Sequence, residues 1–167
     1  MSSGICAFTG HRAIKAEHSR ALPPLVLRAI EYAYSRGCRT FLAGGAVGFD
    51  TVAARQVILF RMSHPDVKMH LLLPCKNQDE KWSERQRQSY QYTLSLADEV
   101  HYISEEYTRD CMKKRNQALV ADADIVISYV SHSESGAAQT VRMAMRAGKE
   151  VYNLYPTLEK TVSESSI

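Results

Sequence analysis

Residues 40–62 read TFLAGGAVGFDTVAARQVILFRM, and the fold class can be inferred by starting from this segment. It begins with Thr40 to Ala43, a short apolar run typical of a buried strand. Three glycines follow within the five residues 44–48, and from about Asp50 to Met62 apolar residues recur at helical spacing. A strand that passes through a glycine-rich turn into a helix is half of a βαβ unit, the element from which parallel sheets are built.

The same alternation of strand and helix recurs along the chain. Strands are predicted at Gly4–Phe8, Thr40–Ala43, Lys68–Leu73, Glu99–Ile103, Asp124–Tyr129 and Glu150–Leu154. Helices are predicted at about Leu22–Ala33, Asp50–Met62, Ser83–Ala97, Thr108–Ala121 and Gly136–Ala147. Crossovers between successive strands place helices on both faces of a parallel sheet. The sequence therefore predicts one α/β domain over residues 4–155, with a doubly wound, mostly parallel sheet of about six strands.

Composition argues against several other classes of protein. The 167 residues are 45% hydrophobic and 23% charged, values that argue against a disordered chain. No stretch reaches the roughly 18 to 20 apolar residues of a membrane span, and the first residues lack a secretion signal, so we expect a cytoplasmic protein without a membrane partner. The net charge of +3, without a dense basic run, argues against nucleic acid as a partner. The polar segment 156–167 is expected to be a flexible tail.

The cysteines and histidines predict no metal site. The four cysteines lie more than 30 residues apart, so they form no CxxC unit, and we expect them to be reduced. The six histidines show no HExxH or paired spacing.

In such folds, ligands bind to the loops that follow the parallel strands, because the carboxyl ends of the strands lie at one edge of the sheet. The loop after the first strand contains Gly10, His11 and Arg12. It is either a tight turn with a surface arginine or an anion contact through Arg12. The loop after the second strand is neither a Walker A nor a GxGxxG motif. It is either an ordinary glycine-rich turn or a cradle of backbone N–H groups for a phosphate. Its candidate residues are Gly44, Gly45, Ala46, Gly48 and Asp50, of which Asp50 is by default a helix cap and otherwise a ligand contact.

Three further segments supply candidate contacts. Small residues before the fifth helix permit a second close approach of a phosphate to a helix start. These candidates are Ser135, Gly136, Ala137 and Thr140. On the fourth helix, Arg115 and Asn116 lie in a basic run that is either a solvated face or part of the site. Trp82, the single tryptophan, either stacks on a base or packs against the protein.

Seven motifs follow one another in a recognisable order. They are TGHR (9–12), GGAVGFD (44–50), LPCKNQDEKW (73–82), ADEVHYIS (97–104), YTRDCMKKRN (107–116), ADADIVISY (121–129) and SGAAQT (135–140). Together they resemble the YpsA-like family of the SLOG superfamily, which also includes the LOG phosphoribohydrolases and the DNA-processing protein DprA. The resemblance implies a Rossmann-like fold that binds a nucleotide or nucleotide-derived ligand at the carboxyl edge of the sheet. It also implies that Arg115 lies in the site.

The departures from the LOG pattern bear on catalysis. LOG enzymes carry MxxRK and PGGxGTxxE motifs, whose Arg and Glu serve catalysis. Met112 and Arg115 match the first motif, whereas Thr140 stands where the second motif has its Glu. The resemblance therefore favours a protein that binds or senses a nucleotide-like ligand, such as a relative of ADP-ribose, with no certain cofactor.

Two alternatives stay open. The first is an enzyme that hydrolyses a nucleotide, with Arg115 and Asp50 as candidate catalytic residues. The second is a DprA-like binder of single-stranded nucleic acid. Its contacts would be Lys81, Arg85 and Arg87, with Trp82 and Tyr90 as stacking groups. A homodimer is also expected, by analogy with LOG relatives and from apolar residues on the second and fifth helices. These residues are Val57, Ile58, Phe60, Val141 and Met145.

Overall fold

A computed structural model describes residues 3–132 and 134–165. The strands are β1 (Gly4–Gly10), β2 (Cys38–Ala43), β3 (Lys68–Cys75), β4 (Glu99–Ser104), β5 (Ile125–Tyr129) and β6 (Glu150–Asn153). The helices are α1 (Leu22–Ser35), α2 (Phe49–Ser63), α3 (Glu84–Leu96), α4 (Cys111–Asp122), α5 (Gly136–Arg146) and α6 (Tyr155–Ser165). Within these described residues the strands form one sheet in the order β4-β3-β2-β1-β5-β6, and every neighbouring pair is parallel.

This architecture confirms the predicted doubly wound, Rossmann-like α/β fold. From β1 the chain adds β2, β3 and β4 on one side and then returns to add β5 and β6 on the other. The direction of winding therefore reverses between β1 and β5. In open α/β sheets, a crevice for ligands opens at such a reversal, outside the carboxyl ends of the strands.

Two hydrophobic layers hold the helices on the sheet. Successive residues of a strand point to opposite faces, so Cys6 and Phe8 pack on one side with α1 and α2, while Ala7 packs on the other with α4 and α5. The first layer is the larger and contains the aromatic side chains of Phe8, Phe41 and Phe49. Burial on both faces explains why the central strands are short, nearly continuous apolar runs.

The structure confirms one predicted element boundary and extends another. A capping box at Ser83, where the third helix is predicted to begin, opens α3: the Ser83 hydroxyl accepts a hydrogen bond from the Gln86 backbone N–H at 3.2 Å, and the Gln86 side chain accepts one from the Ser83 N–H at 3.0 Å. Strand β1 continues to Gly10, past the predicted end at Phe8, because Thr9 and Gly10 pair with β5. His11 is therefore the first residue beyond the strand.

The predicted flexible tail is wrong for the described part of that segment. Residues 155–165 form α6, and Leu158 is only 2% exposed within the larger hydrophobic layer. The carboxylate of Glu159 also accepts a hydrogen bond from Lys15 Nζ at 2.8 Å. The sequence did not predict this helix because its remaining residues are mostly polar. They do not form the apolar stripe by which an amphipathic helix is recognised. Residues 166 and 167 of the predicted tail lie outside the described residues.

Most of the apolar residues that were expected to form a homodimer surface are not exposed. Val57, Phe60 and Val141 are buried against the chain's own core, as expected for helices that cover a sheet, while Met145 is 63% exposed. The core thus accounts for Val57 and Phe60 of α2, whereas Leu59 and Met62 of the same helix are 55% and 80% exposed, and the dimer stays a prediction. None of the helices in the described ranges is long and apolar enough to cross a membrane.

Candidate functional site

A cavity of about 180 Å³ opens at the reversal between β1 and β5, and we call it the central cavity. It is lined by Phe8, Thr9, Gly10, His11, Arg12, Ala46, Asp50, Met112, Arg115, Asn116, Leu119, Gly136 and Ala137. Segments far apart in sequence thus meet where the fold predicts a ligand. The lining contains most of the predicted site residues; the others are Gly44, Gly45, Gly48, Trp82, Ser135 and Thr140.

Arg115 is a buried residue of this cavity rather than part of a solvated helix face. It is 6% exposed because it lies four residues from Cys111 and from Leu119, both of which face the interior, whereas its neighbours Lys113 and Lys114 are exposed. Its Nη1 donates to the Gly44 carbonyl oxygen, and its Nε donates to Asn116 Oδ1 at 2.8 Å. Burial lowers the pKa of Arg115, but a guanidinium keeps its charge at neutral pH.

Asp50 lies opposite Arg115, in the first turn of α2. Its Oδ2 accepts a hydrogen bond from the Ala46 backbone N–H at 3.2 Å, and among the described residues its buried Oδ1 has no hydrogen-bond partner. Burial raises the pKa of Asp50 to about 6, although the nearby charges of Arg115 and Arg12 oppose the shift. The N-cap of α2 is Gly48, so Asp50 does not have the capping role that the sequence favoured for it.

The glycines of the second loop permit close packing around this pair. A Cβ on Gly44 would lie 2.8 Å from both Arg115 Nη1 and Asp50 Oδ2, so only glycine leaves space between the two charged groups. Gly48 has φ +84°, and a Cβ there would lie 2.1 Å from the Arg12 carbonyl oxygen. A Cβ on Gly45, at φ +71°, would lie 2.3 Å from Leu73 Cδ2. Gly45 and Gly48 thus let the loop pack on β3 and on the loop after β1, and the cradle of backbone N–H groups for a phosphate stays a prediction.

The loop after β1 holds one neutral and one charged side chain at the cavity. The His11 backbone donates to the Tyr129 carbonyl at 3.0 Å and accepts from the Phe49 N–H at 3.1 Å, which anchors the loop to β5 and α2. His11 Nε2 accepts from the Ser131 N–H at 2.8 Å, so the neutral ring carries its proton on Nδ1. Burial lowers the pKa of His11, which keeps the ring neutral at pH 7.

Arg12 differs from every other charged group at the cavity. Its side chain is exposed, and within the described part of the chain it makes no hydrogen bond or ion pair. It also lines two adjoining spaces. The first, of about 700 Å³, we call the Trp82 cavity; it shares Arg12 and Met112 with the central cavity. The second, of about 570 Å³, we call the arginine groove; it lies between α2 and α3.

The start of α5 faces the central cavity through Gly136 and Ala137. Ser135 is the N-cap, and its hydroxyl accepts a hydrogen bond from the Ala138 N–H at 3.0 Å. A helix start carries a partial positive charge that favours anions. Thr140 is 1% exposed, and its hydroxyl donates to the Gly136 carbonyl at 2.8 Å, so it is occupied within the helix and does not line the cavity. Ser133, in the loop before α5, lies outside the described residues.

Trp82 lines the Trp82 cavity with residues of the loop after β3. Its ring meets Tyr90 edge to face, with 5.1 Å between ring centroids. The other lining residues are Arg12, Pro74, Cys75, Asn77, Gln78, Glu80, Lys81, Tyr107 and Met112. Tyr90 itself is buried, so it is not available to stack on a nucleic-acid base.

The arginine groove contains residues that the sequence reasoning missed. Arg12, Arg55 and Arg85 line it together with Tyr92, and no Asp or Glu of the described residues is part of the lining. The sequence analysis did not predict Arg55 as a site residue because it lies within an amphipathic helix. Its spacing of four residues from Thr51 places both on one helix face, and this spacing could have indicated that they line the same groove. The third predicted cation of this region, Arg87, pairs instead with Asp79 at 3.7 Å.

Comparison with known proteins identifies relatives of the whole domain. The model of the YpsA family, described as the YspA SLOG family, matches residues 8–158. An uncharacterized SPbeta prophage-derived protein of Bacillus subtilis, YoqJ, is 28% identical over 130 residues, which is 70% of this chain and 76% of YoqJ.

Two solved structures share the fold. DNA processing protein A (DprA) from Streptococcus pneumoniae has a TM-score of 0.63 at 17% identity, covering 89% of this chain and 49% of that protein. DprA from Helicobacter pylori, described as binding single-stranded DNA, has a TM-score of 0.63 at 18% identity, covering 89% of this chain and 64% of that one. The chain thus spans about half of the pneumococcal protein, and at these identities the likeness shows the fold alone.

Proposed function

Because the chain belongs to the YpsA family of SLOG proteins, we propose that its central cavity binds the phosphate of a nucleotide or nucleotide-derived ligand of the ADP-ribose type. The observation that carries the proposal is the position of the Arg12 guanidinium. It makes no hydrogen bond or ion pair with the described residues, and it lines the central cavity, the Trp82 cavity and the arginine groove. An arginine held at a cavity without a direct ion-pair contact is suited to bidentate binding of a phosphate.

The charges around the cavity support an anionic ligand. Arg115 and Asp50 balance one another when the carboxyl is ionised, and His11 is neutral, so Arg12 supplies the excess positive charge. The start of α5 adds a partial positive charge and the backbone N–H groups of its first turn. Gly136 allows close approach, since the nearest atom to a Cβ built there is Asn116 Nδ2 at 3.9 Å.

Cavity size favours a ligand with more than one part. The central cavity, at about 180 Å³, is smaller than the roughly 300–1,000 Å³ of ordinary ligand pockets. The Trp82 cavity beside it has the volume and the aromatic surface to take a base. A phosphate at Arg12 with a base near Trp82 would occupy both spaces.

Calorimetric titration with ADP-ribose tests this proposal. Arg12→Ala should weaken binding by roughly ten- to a hundredfold, the effect of losing one charge-assisted contact. It should leave thermal stability unchanged, because the Arg12 side chain makes no hydrogen bond or ion pair with residues 3–132 and 134–165. Arg20→Ala is the matched control, since Arg20 is also exposed and lies outside the central cavity. Equal affinities of the two variants for ADP-ribose would contradict the phosphate role of Arg12.

The arginine groove favours a second candidate function, the binding of single-stranded nucleic acid. Three arginines form a track that extends from Arg12, the described lining of the groove contains no carboxylate, and the side chain of Tyr92 is exposed beside it. The fold is shared with H. pylori DprA, which is described as binding single-stranded DNA, and this weighs against our expectation that nucleic acid is not a partner.

One variant separates the two functions. Arg85 lines the groove but not the central or Trp82 cavities, so Arg85→Ala should weaken binding of a single-stranded oligonucleotide and leave ADP-ribose binding unchanged. Fluorescence anisotropy with labelled oligothymidylate, repeated at several salt concentrations, measures the first effect. No binding of the oligonucleotide by the wild-type protein at low salt would reject the second candidate.

A further inference from the structure

Three potential metal ligands converge on the surface of β3 and β4. Glu99 Oε2 lies 3.0 Å from His70 Nε2 and 3.6 Å from His101 Nε2, and all three atoms lie within 4.8 Å of one another. His70 is partly buried, whereas Glu99 and His101 are exposed. None of these residues lines the central cavity.

The register of the sheet explains the convergence. His70 pairs with Glu99, and Leu72 pairs with His101, so the three side chains project from the same face at adjacent positions. His70 is near the amino end of β3 and Glu99 begins β4, whereas the central cavity opens beyond the carboxyl ends of the strands. The cluster therefore lies at the opposite edge of the sheet.

We propose that His70, Glu99 and His101 bind a divalent transition metal of the zinc type. Zinc bound by imidazole nitrogen and carboxylate oxygen at about 2.0–2.2 Å places neighbouring ligand atoms roughly 3.3 Å apart in a tetrahedron. The two distances from Glu99 fall on either side of this value. Two histidines and one carboxylate also form a recurrent ligand set for zinc that leaves one coordination position open.

A second cluster in the described residues does not meet the same conditions. Glu17, His18 and Glu159 are also close together. The ammonium of Lys15, however, lies 3.2 Å from Glu17 and 2.8 Å from Glu159, so both carboxylates already pair with a cation of the chain. At Glu99, the described ion pairs involve only the two histidines.

A metal at this position would join β3 to β4, the strand at the edge of the sheet. Edge strands expose unpaired backbone groups, and a bound metal would fix such a strand to its neighbour. Sequence spacing predicted no metal site because the ligands come from two strands, 31 residues apart between His70 and His101.

Titration of the untagged, chelator-treated full chain with zinc chloride tests the proposal. We expect one zinc ion per chain, and at least a tenfold loss of affinity in both His101→Ala and Glu99→Gln. Both side chains are exposed, so circular dichroism should show that both variants fold. His132→Ala, which removes another exposed histidine, is the matched control and should bind zinc as the wild type does.

Cobalt chloride supplies an independent spectroscopic signature. Tetrahedral Co²⁺ absorbs visible light strongly, and this absorption should appear in the wild type and in His132→Ala but not in His101→Ala. Zinc binding weaker than roughly 100 µM in the wild type would overturn the proposal. Undiminished binding in His101→Ala and Glu99→Gln would also overturn it, because the metal would then be bound elsewhere.

Discussion

Replacing Gly48 with alanine should destabilise the fold itself. The residue has φ +84° and ψ −124°, a conformation that costs a non-glycine residue about 1–3 kcal/mol. The added Cβ would also lie 2.1 Å from the Arg12 carbonyl oxygen, and backbone shifts that relieve such overlap cost typically 1–3 kcal/mol more. The expected loss in the free energy of unfolding is therefore roughly 2–6 kcal/mol.

A second glycine separates the two contributions. Gly37 also has a positive φ, +100°, but a Cβ there would meet nothing within 4 Å, so Gly37→Ala should show only the conformational cost of about 1–3 kcal/mol. Guanidinium denaturation of both variants measures the difference, provided that the m-value is unchanged. In thermal unfolding, each 1 kcal/mol corresponds to roughly 2–4 °C for a domain of this size.

Two outcomes would contradict the expected difference between Gly48→Ala and Gly37→Ala. Equal losses in Gly48→Ala and Gly37→Ala would show that the overlap with Arg12 is not felt. A Gly48→Ala protein as stable as the wild type that lacks stabilisation by ADP-ribose would restore the interpretation drawn from sequence, in which this glycine exists for phosphate binding and not for folding.

Three further substitutions and one assay of the wild type test the site and the fold. In the wild type, ADP-ribose affinity should rise as pH falls from 7.5 to 5.5, because protonation near the Asp50 pKa of about 6 removes a negative charge from the cavity. Asp50→Asn should abolish this rise. Calorimetry on the variant at each pH measures any rise that remains, which would come from protonation of His11 instead. Arg115→Ala should weaken ADP-ribose binding and, by leaving the Gly44 carbonyl unpaired, lower stability by about 1–3 kcal/mol in urea denaturation. Leu158→Ala should cost about 2–5 kcal/mol in the same assay, and a loss below about 0.5 kcal/mol would remove α6 from the core. Chromatography of AMP incubated with the wild type should show no released adenine, because the Thr140 hydroxyl is bonded within α5 and offers no carboxylate.

The sequence predicted the layers of the fold better than the packing of individual residues. Short apolar runs separated by amphipathic helices specify a parallel sheet covered on both faces, and the capping box at Ser83 locates a helix start by a local hydrogen bond. The burial of Arg115 depends on which side of α4 meets the sheet. Its spacing of four residues from Cys111 and Leu119 indicated that side, but the adjacent lysines favoured a solvated interpretation.

Other features of the site depend on contacts between distant segments, which sequence patterns do not contain. The overlap between a Gly48 side chain and Arg12 joins positions on two loops, and it gives this glycine a packing role that the glycine-rich motif alone does not indicate. Helix α6 depends on Leu158 meeting a core built by earlier elements. The arginine groove likewise requires α2 and α3 to lie side by side.

The buried and exposed charges of the site have different roles. Arg115 and Asp50 are held by the Gly44 carbonyl and the Ala46 N–H, so much of their hydrogen-bonding capacity maintains the shape of the second loop. The Arg12 side chain makes no such hydrogen bond with the described residues, and we propose that its charge binds the ligand. A site arranged in this way can lose Arg12 and keep its shape, whereas loss of Arg115 changes shape and affinity together. Measuring stability and affinity on the same variants therefore distinguishes the residue that binds from the residues that position, which affinity alone does not.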